Sequence, residues 1–174
     1  MKTLARFVTA FAALTVLTPL PAFAEYLAPD WSDFYVPSVS APNWIAGARD
    51  GAYIGMCVAC DGTMLLEVRV NRDDGTGERV RSGETTAETY TELGKANASQ
   101  LGGDAEYYGT EDIAFASAVG FATHARIGTG DYSSTYQLWS DGQQLIVRVV
   151  GKDRAMVDAV AEDVYEAATP LTFR

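Results

Sequence analysis

The chain has 174 residues, of which 23 are acidic and 13 are basic, so its net charge is -10 at pH 7. This excess of negative charge argues against a protein that binds nucleic acid or an anionic membrane surface, because both functions need concentrated positive charge. The length suits a single domain behind a short leader, and a domain of that size can bury a sizeable core.

The first 24 residues have the three parts of a cleavable secretory signal peptide. Lys2 and Arg6 provide positive charge at its start, and the apolar stretch 7–17 is too short to span a bilayer. Ala22-Phe23-Ala24 then offers the small-x-small pattern that a signal peptidase needs. We therefore predict an exported protein, periplasmic or extracellular, that begins near Glu25 and has no stable membrane insertion once the leader is removed.

An uncleaved membrane anchor is the alternative interpretation of the leader. Pro19 and Pro21 disfavour it, because they break a helix directly before the cleavage site. Cleavage also changes the charge. Once Lys2 and Arg6 are lost, 11 basic residues face 23 acidic residues, and the net charge becomes -12.

Residues 25–44 form a segment rich in proline and aromatic residues. Its three prolines disfavour regular helix or central strand, and its aromatic side chains argue against disorder. We predict an arm that docks on a single domain formed by residues 45–174. The alternative is an exposed aromatic strip that contacts a partner, for which the candidate residues are Trp31, Phe34 and Tyr35.

Two strands are predicted after this arm. Ala52 to Val58 is compact and apolar, whereas Met64 to Val70 mixes apolar with charged side chains. Asp61-Gly62 between them is a strong turn signal. In the second strand, Leu65, Val68 and Val70 are expected on the apolar face, with Val68 out of exact alternation, against Glu67 and Arg69.

A helix is predicted next, from Thr85 to Leu101, after a glycine-rich polar stretch at 71–83 that predicts a loop. Thr85 and Glu88 form a capping box at its start, and Gly102-Gly103 ends it. Apolar residues recur on one face at helical spacing, namely Ala87, Tyr90, Leu93, Ala96 and Leu101.

The stretch 113–127 fits two structures. With a period of two, large apolar side chains alternate with very small ones, which favours one long strand that bends near Gly120. A helix capped by Thr110 and ended by Gly128 is the alternative. We favour the strand, and the helix stays open.

The stretch from Tyr132 to Val150 predicts a hairpin. Asp141-Gly142 is its two-residue turn. That turn places Leu138 opposite Leu145, and Tyr136 opposite Val147, on the face that must be buried.

Asp153 to Ala168 predicts a second main helix. Asp153 caps it, and Pro170 ends it before a short closing segment at 171–173. Its apolar stripe comprises Val157, Val160, Ala161, Val164, Tyr165 and Ala168.

Tight turns join neighbouring strands, so we predict an α+β fold, a mostly antiparallel sheet flanked by two main helices. The sequence YQLWSDGQQLIVRVV at 136–150, then Gly151, a helix and Leu-Thr-Phe, resembles the end of Mog1/PsbP-like domains. The resemblance covers about 40 residues and implies an antiparallel sheet flanked by helices, in a protein that serves in binding or assembly. It carries no functional residue across.

Cys57-Val-Ala-Cys60 is the one recognisable chemical motif. Export and the lack of other cysteines favour a structural disulfide. Residues three apart in an extended strand lie ~10 Å apart, beyond the ~7 Å that a disulfide spans, so a bridge requires a tight turn at Val58-Ala59. A redox-active pair is the alternative, although no helix follows the motif as it does in thioredoxin. Haem attachment is excluded, because Asp61 stands where it needs histidine.

His124 is the only histidine. It suits a partly buried position with a satisfied ring nitrogen better than the site of a hydrolytic enzyme, since no nucleophile context surrounds it. A zinc site needs about four ligands, and the chain offers Cys57, Cys60, Asp61 and His124 without a second CxxC. We therefore predict no metal site and no cofactor.

These features together favour a small exported binding or accessory protein without catalytic activity, whose partner is an unknown protein or small molecule. Two alternatives stay open. One is a thiol-disulfide redox protein that uses Cys57 and Cys60, and the other is a hydrolytic enzyme that uses His124.

Overall fold

The structure is a computed structural model, which describes residues 29–31, 34–39, 43–60, 62–100, 103–128 and 130–173. The predicted signal peptide, residues 1–24, lies outside this part of the chain. The described strands are β1 (Trp44–Arg49), β2 (Ala52–Cys57), β3 (Met64–Arg72), β4 (Ala105–Phe115), β5 (Ala118–Ile127), β6 (Tyr132–Ser140) and β7 (Gln143–Gly151). The described helices are α1 (Thr76–Arg81), α2 (Ala87–Gln100) and α3 (Arg154–Thr172).

The described strands form one antiparallel sheet in the order β1-β2-β3-β7-β6-β5-β4. The predicted α+β fold is therefore confirmed, with one short helix more than expected. Among the described residues, none of the helices combines the length and the apolarity that a bilayer crossing requires.

The N-terminal part of the sheet differs from the prediction. Three strands form where two were expected, because Trp44–Arg49 adds an edge strand whose side chains are mostly exposed. The buried face of β3 carries Leu66 and Val68, whereas Leu65 is 50 % exposed on the opposite face. The prediction is therefore confirmed for Val68 and Val70, which are fully buried, and wrong for Leu65.

The ambiguous stretch 113–127 is extended, but it is not one bent strand. β4 ends at Phe115 and β5 begins at Ala118, and Ala116 turns the chain between them with a φ of 51°. Gly120 does not mark a bend. A Cβ at that position would overlap the backbone of Gln137 on β6, so its role is to allow close approach of two strands.

The hairpin of β6 and β7 is confirmed. Leu138 pairs with Leu145 and Tyr136 with Val147, as predicted. Asp141-Gly142 forms the turn, and both residues have positive φ values, 50° and 76°, which is the conformation of a type I′ turn.

The structure of α1 and α2 differs from the prediction in three details. α1 forms inside the stretch 71–83 that was expected to be a loop. The cap of α2 is Thr86 and not Thr85: the Thr86 N–H donates to Thr89 Oγ1 (2.8 Å), and the Thr89 N–H donates to Thr86 Oγ1 (3.3 Å). No side chain of α2, residues 87–100, is fully buried, and Tyr90 on its predicted apolar face is only partly buried, so this face is not part of the main core.

α3 carries the predicted cap, since Asp153 Oδ1 accepts from the Met156 N–H (2.9 Å). The helix continues through Pro170 to Thr172, so the prediction that Pro170 ends it is wrong. Pro170 has no N–H to donate to the Glu166 carbonyl. Both residues lie on the exposed side of the helix, where water can hydrogen-bond this carbonyl instead.

The sheet has two unlike faces. We call the face under α3 the inner face, and the opposite one the outer face. Inner-face side chains from β3, β6 and β7 are fully buried against α3, and the described arm residues Trp31, Phe34, Val36 and Val39 belong to the same core. The outer face is covered by α1 and α2 over β4 to β6. Over β1 to β3, none of the described helices packs on it.

Candidate functional site

Cys57 and Cys60 are bridged, with their Cα atoms 5.7 Å apart. The tight turn that such a bridge requires follows the end of β2, in the segment 58–60. Cys57 is 0 % and Cys60 9 % exposed, and Asn43 Nδ2 approaches both sulfurs, at 3.2 and 3.4 Å. Sulfurs this buried are poorly accessible to an attacking thiolate, so the geometry favours a structural bridge over a redox pair.

His124 lies on the inner face of β5, in a polar cluster with side chains from three neighbouring elements. Its Nδ1 lies 2.9 Å from Ser134 Oγ on β6 and 3.1 Å from Asp158 Oδ1 on α3. Ser134 and Tyr108 both donate to Asp158 Oδ1, the latter at 3.2 Å. Arg154 lies 3.6 Å from Asp158 Oδ2 and stacks over the Tyr108 ring.

This cluster does not have the geometry of a hydrolytic relay. A Ser-His-Asp relay places serine and carboxylate on opposite ring nitrogens. Here Ser134 and Asp158 share Nδ1, while Nε2 faces Glu111 at 3.9 Å. Ser134 is 0 % exposed and its proton is held by Asp158, so it is not available as a nucleophile. The cluster therefore links β4, β5, β6 and α3.

No metal centre is evident in the described part of the chain. It contains no group of three or more His, Cys, Asp or Glu side chains close enough to hold an ion.

A groove lies on the outer face, between α2 and strands β4 to β7, and we call it the outer groove. Its volume is about 470 Å³. The residues that line it are Tyr90, Leu93, Gly94, Asn97, Ala98, Ala105, Tyr107, Thr123, Ala125, Ile127, Ser133, Thr135, Gln137, Arg148 and Val150. None of these is Asp or Glu, although the chain has 23 acidic residues. The groove is therefore basic in an acidic protein.

Arg148 supplies the positive charge of the outer groove. It lies on β7, in register between Glu67 on β3 and Thr135 on β6. The Glu67 carboxylate pairs with Arg69 on its own strand. Within the described residues Arg148 has no ion pair. Burial raises the pKa values of the Tyr90 and Tyr107 hydroxyls, and the positive charge of Arg148 lowers them in part.

Tyr90 is the main contact of α2 with the sheet. Its ring stacks on Phe121, with ring centroids 4.9 Å apart, and meets Trp139 edge-on at 6.1 Å. Burial raises the pKa of Tyr90 to about 12, and burial also raises the pKa of Tyr107. Both phenols therefore keep their protons at neutral pH and can donate hydrogen bonds into the groove.

A β-bulge brings Tyr107 into the groove. Tyr107 pairs with Ala125 and Gly109 with His124, so the register of β4 shifts between them. The extra residue, Tyr108, reaches Asp158 on the inner face, while Tyr107 lines the outer groove.

Beyond the groove the outer face exposes apolar side chains. Register aligns Ile45, Met56 and Leu65 across β1, β2 and β3, next to Val150 on β7. Ile45, Met56 and Leu65 are exposed, as is the neighbouring Ile54. We call these four residues the apolar row. With strands ~4.8 Å apart, the line from Ile45 to Val150 spans about 14 Å.

The residues that the sequence proposed as partner contacts lie in different environments. Trp31 and Phe34 are buried in the core, where Trp31 Nε1 donates to the Gly51 carbonyl (3.3 Å) and Phe34 packs edge-on against Tyr53. They are not accessible to a partner in this structure. Tyr35 is 69 % exposed.

Sequence reasoning did not identify the outer groove or the apolar row. The hairpin register places Arg148, Thr135 and Gln137 on one face, which is the only signal that points to the groove floor. The wall of the groove depends on where α2 packs, and no local pattern specifies that.

No protein-family model matches the chain, and no curated protein is similar to it in sequence. Among solved structures the chain is similar to the solution structure of cyanobacterial PsbP (CyanoP) from Synechocystis sp. PCC 6803. The identity is 16 % and the TM-score 0.49, over 72 % of this chain and 81 % of that chain. The similarity extends well beyond the C-terminal 40 residues, and it transfers no functional residue.

Proposed function

We propose that the protein is an exported binding or accessory protein that acts by contact and not by catalysis, through the apolar row on the outer face. The observation that supports this is the alignment of exposed Ile45, Met56 and Leu65, with Ile54 beside them, on strands that no described helix covers. Contiguous apolar surface of this kind typically marks an interaction site.

The partner we propose is a protein surface with an apolar centre and acidic side chains around it. Arg69 and Arg148 flank the apolar row and Glu67 lies between them, so this border is basic in a chain of net charge -10. Charge complementarity of this kind steers association and fixes orientation more than it adds affinity.

Export is supported by the sequence of the leader. A bridge between Cys57 and Cys60 agrees with it, because disulfides persist in oxidising compartments such as the periplasm. The two enzymatic alternatives have weaker support, since the bridge is buried and the polar cluster lacks relay geometry.

The test compares two exposed apolar residues on different faces. The full chain, with its leader, is produced in a bacterial host, recovered from the periplasm and immobilised, and periplasmic proteins are passed over it. Leu65→Ser should reduce the retention of a specific partner by about tenfold, the effect of losing one well-placed apolar contact. Met156→Ser, on exposed α3 surface, should leave retention unchanged.

Three results would contradict the proposal. One is equal retention by both variants, and another is a retained protein that proves to be a second copy of this chain. The third is recovery of the uncleaved chain from the membrane fraction, which would exclude the exported form that begins near Glu25.

A further inference from the structure

We propose that the outer groove binds a small organic carboxylate with an apolar body. This goes beyond the proposed function, because it assigns a small-molecule site beside the surface that contacts a protein partner. Arg148 and Val150 border both sites, but Leu65 belongs to the apolar row alone, so a change at Leu65 tests the two proposals separately.

The size and shape of the outer groove suit a small molecule. Its volume of about 470 Å³ lies within the ~300–1,000 Å³ usual for ligand pockets. One wall comes from α2, and the floor comes from adjacent residues of β5, β6 and β7. Strands and a helix form the site, so its geometry does not depend on a loop.

The charge of the groove selects the ligand's sign. Arg148 is the single cation among its lining residues, and no lining residue is acidic. The nearest carboxylate by register, that of Glu67, pairs with Arg69. A guanidinium binds a carboxylate through two parallel hydrogen bonds, and one unpaired cation matches a singly charged anion better than a phosphate dianion.

The neutral groups around Arg148 are suited to the rest of the ligand. Thr123, Ser133 and Thr135 line the floor with hydroxyl groups, and Gln137 adds an amide. The rings of Tyr90 and Tyr107, together with Leu93, Ile127 and Val150, provide apolar contact. A ligand bound here has its carboxylate at Arg148 and its body beneath α2.

Octanoate is the probe for this site, and 1-octanol is its neutral counterpart. In NMR titrations of the 15N-labelled protein, octanoate should give saturable shifts at groove residues. A ligand of this size binds in about the millimolar range. 1-Octanol should bind at least about tenfold more weakly, because it cannot accept a charge-assisted pair of hydrogen bonds.

Arg148→Gln is the decisive variant and should weaken octanoate binding by at least about tenfold. Arg126→Gln is its control. Arg126 is also an exposed arginine on a strand, but it lies two residues after His124 and therefore on the inner face, away from the outer groove. It should leave octanoate binding unchanged. The spectra also show whether each variant keeps the fold.

The proposal is overturned by any of three results. These are octanol binding as tight as octanoate, octanoate shifts that survive Arg148→Gln, or no saturable shift up to about 10 mM octanoate. Leu65→Ser should bind octanoate as the unaltered protein does. Normal octanoate binding with no partner retention would therefore overturn the proposed function alone, and the reverse would overturn this inference alone.

Discussion

The inner and outer faces of the sheet consist of alternate residues of the same strands, yet they are closed to very different degrees. On the inner face, α3 and the described part of the arm leave residues such as Val147 and Val149 at 0 % exposure. On the outer face, Arg148 between them is exposed, and α2 covers its share of the sheet without fully burying any side chain of its own.

This difference indicates a division of roles. The inner face holds the buried apolar area from which most of the stability derives, since burial contributes about 25 cal/mol per Å². The outer face contributes less to stability and leaves polar, basic and apolar groups accessible. Binding residues can therefore be changed there without loss of the fold.

Leu65 and Leu66 give the sharpest test of this division, because they are neighbours on β3 with opposite orientations. Leu66→Ala should lower the free energy of unfolding by about 2–5 kcal/mol, because Leu66 is 2 % exposed and the substitution leaves a cavity. Leu65→Ala should cost less than about 1 kcal/mol, because Leu65 is half exposed. Urea denaturation measures both. Equal costs would mean that the outer face is closed in solution.

The Cys57–Cys60 bridge tests how much the edge of the inner-face core, just after β2, contributes to stability. The Cys57→Ser/Cys60→Ser variant should lose about 2 kcal/mol of unfolding free energy, the value expected for so short a closed loop, and should keep its fold and partner binding. Denaturation of the unaltered protein with and without a reductant is the control. Unchanged stability, together with loss of a measured thiol-disulfide exchange activity, would identify a redox pair instead.

Tyr90 tests how much the packing of α2 on the outer face contributes to stability, which we expect to be less than the contribution of the inner face. The unfolded phenol loses its proton near pH 10, whereas the folded one keeps it to about 12, so the unfolded state binds fewer protons between these values. Stability that is present below pH 10 is therefore lost as the pH rises towards 12, by up to about 2 kcal/mol for this residue.

Denaturation at pH 8 and at pH 11.5 measures that loss. Tyr90→Phe should show a smaller decline than the unaltered protein, with a remainder from other tyrosines whose pKa values burial raises, such as Tyr136. Tyr35→Phe, at an exposed position, should match the unaltered protein. An identical decline in Tyr90→Phe would show that α2 does not protect this side chain.

The parts of the fold that could be predicted carry strong local signals. Asp141-Gly142 set the register of the last hairpin, and the stripe of α3 set its buried face. The turn at Ala116 could not be predicted, because alanine seldom adopts the left-handed conformation found there. β1 was missed because an exposed edge strand shows no alternation of apolar and polar residues. In β3, the neighbouring Leu65 and Leu66 do not indicate which alternate residues face the core.

The candidate site was harder to predict than the fold. The turn that a Cys57–Cys60 bridge requires followed from its spacing, and the structural role of that bridge stays a prediction. Aromatic composition suggested Trp31 and Phe34 as contacts, but large aromatic residues serve a core equally well, and both are buried. The outer groove arises from residues far apart in sequence.

The bulge at Tyr108 makes the length of β4 as important as its residue types. With two residues per repeat, deleting Tyr108 would restore simple alternation and leave Tyr107 opposite Ala125 on the outer face. The outer groove would keep Tyr107, but Asp158 would lose its phenol donor and Arg154 would lose the ring on which it stacks. The one extra residue thus lets the edge strand β4 place a tyrosine on each face of the sheet at the same position along the strand. We expect this segment to tolerate substitution better than a change in length.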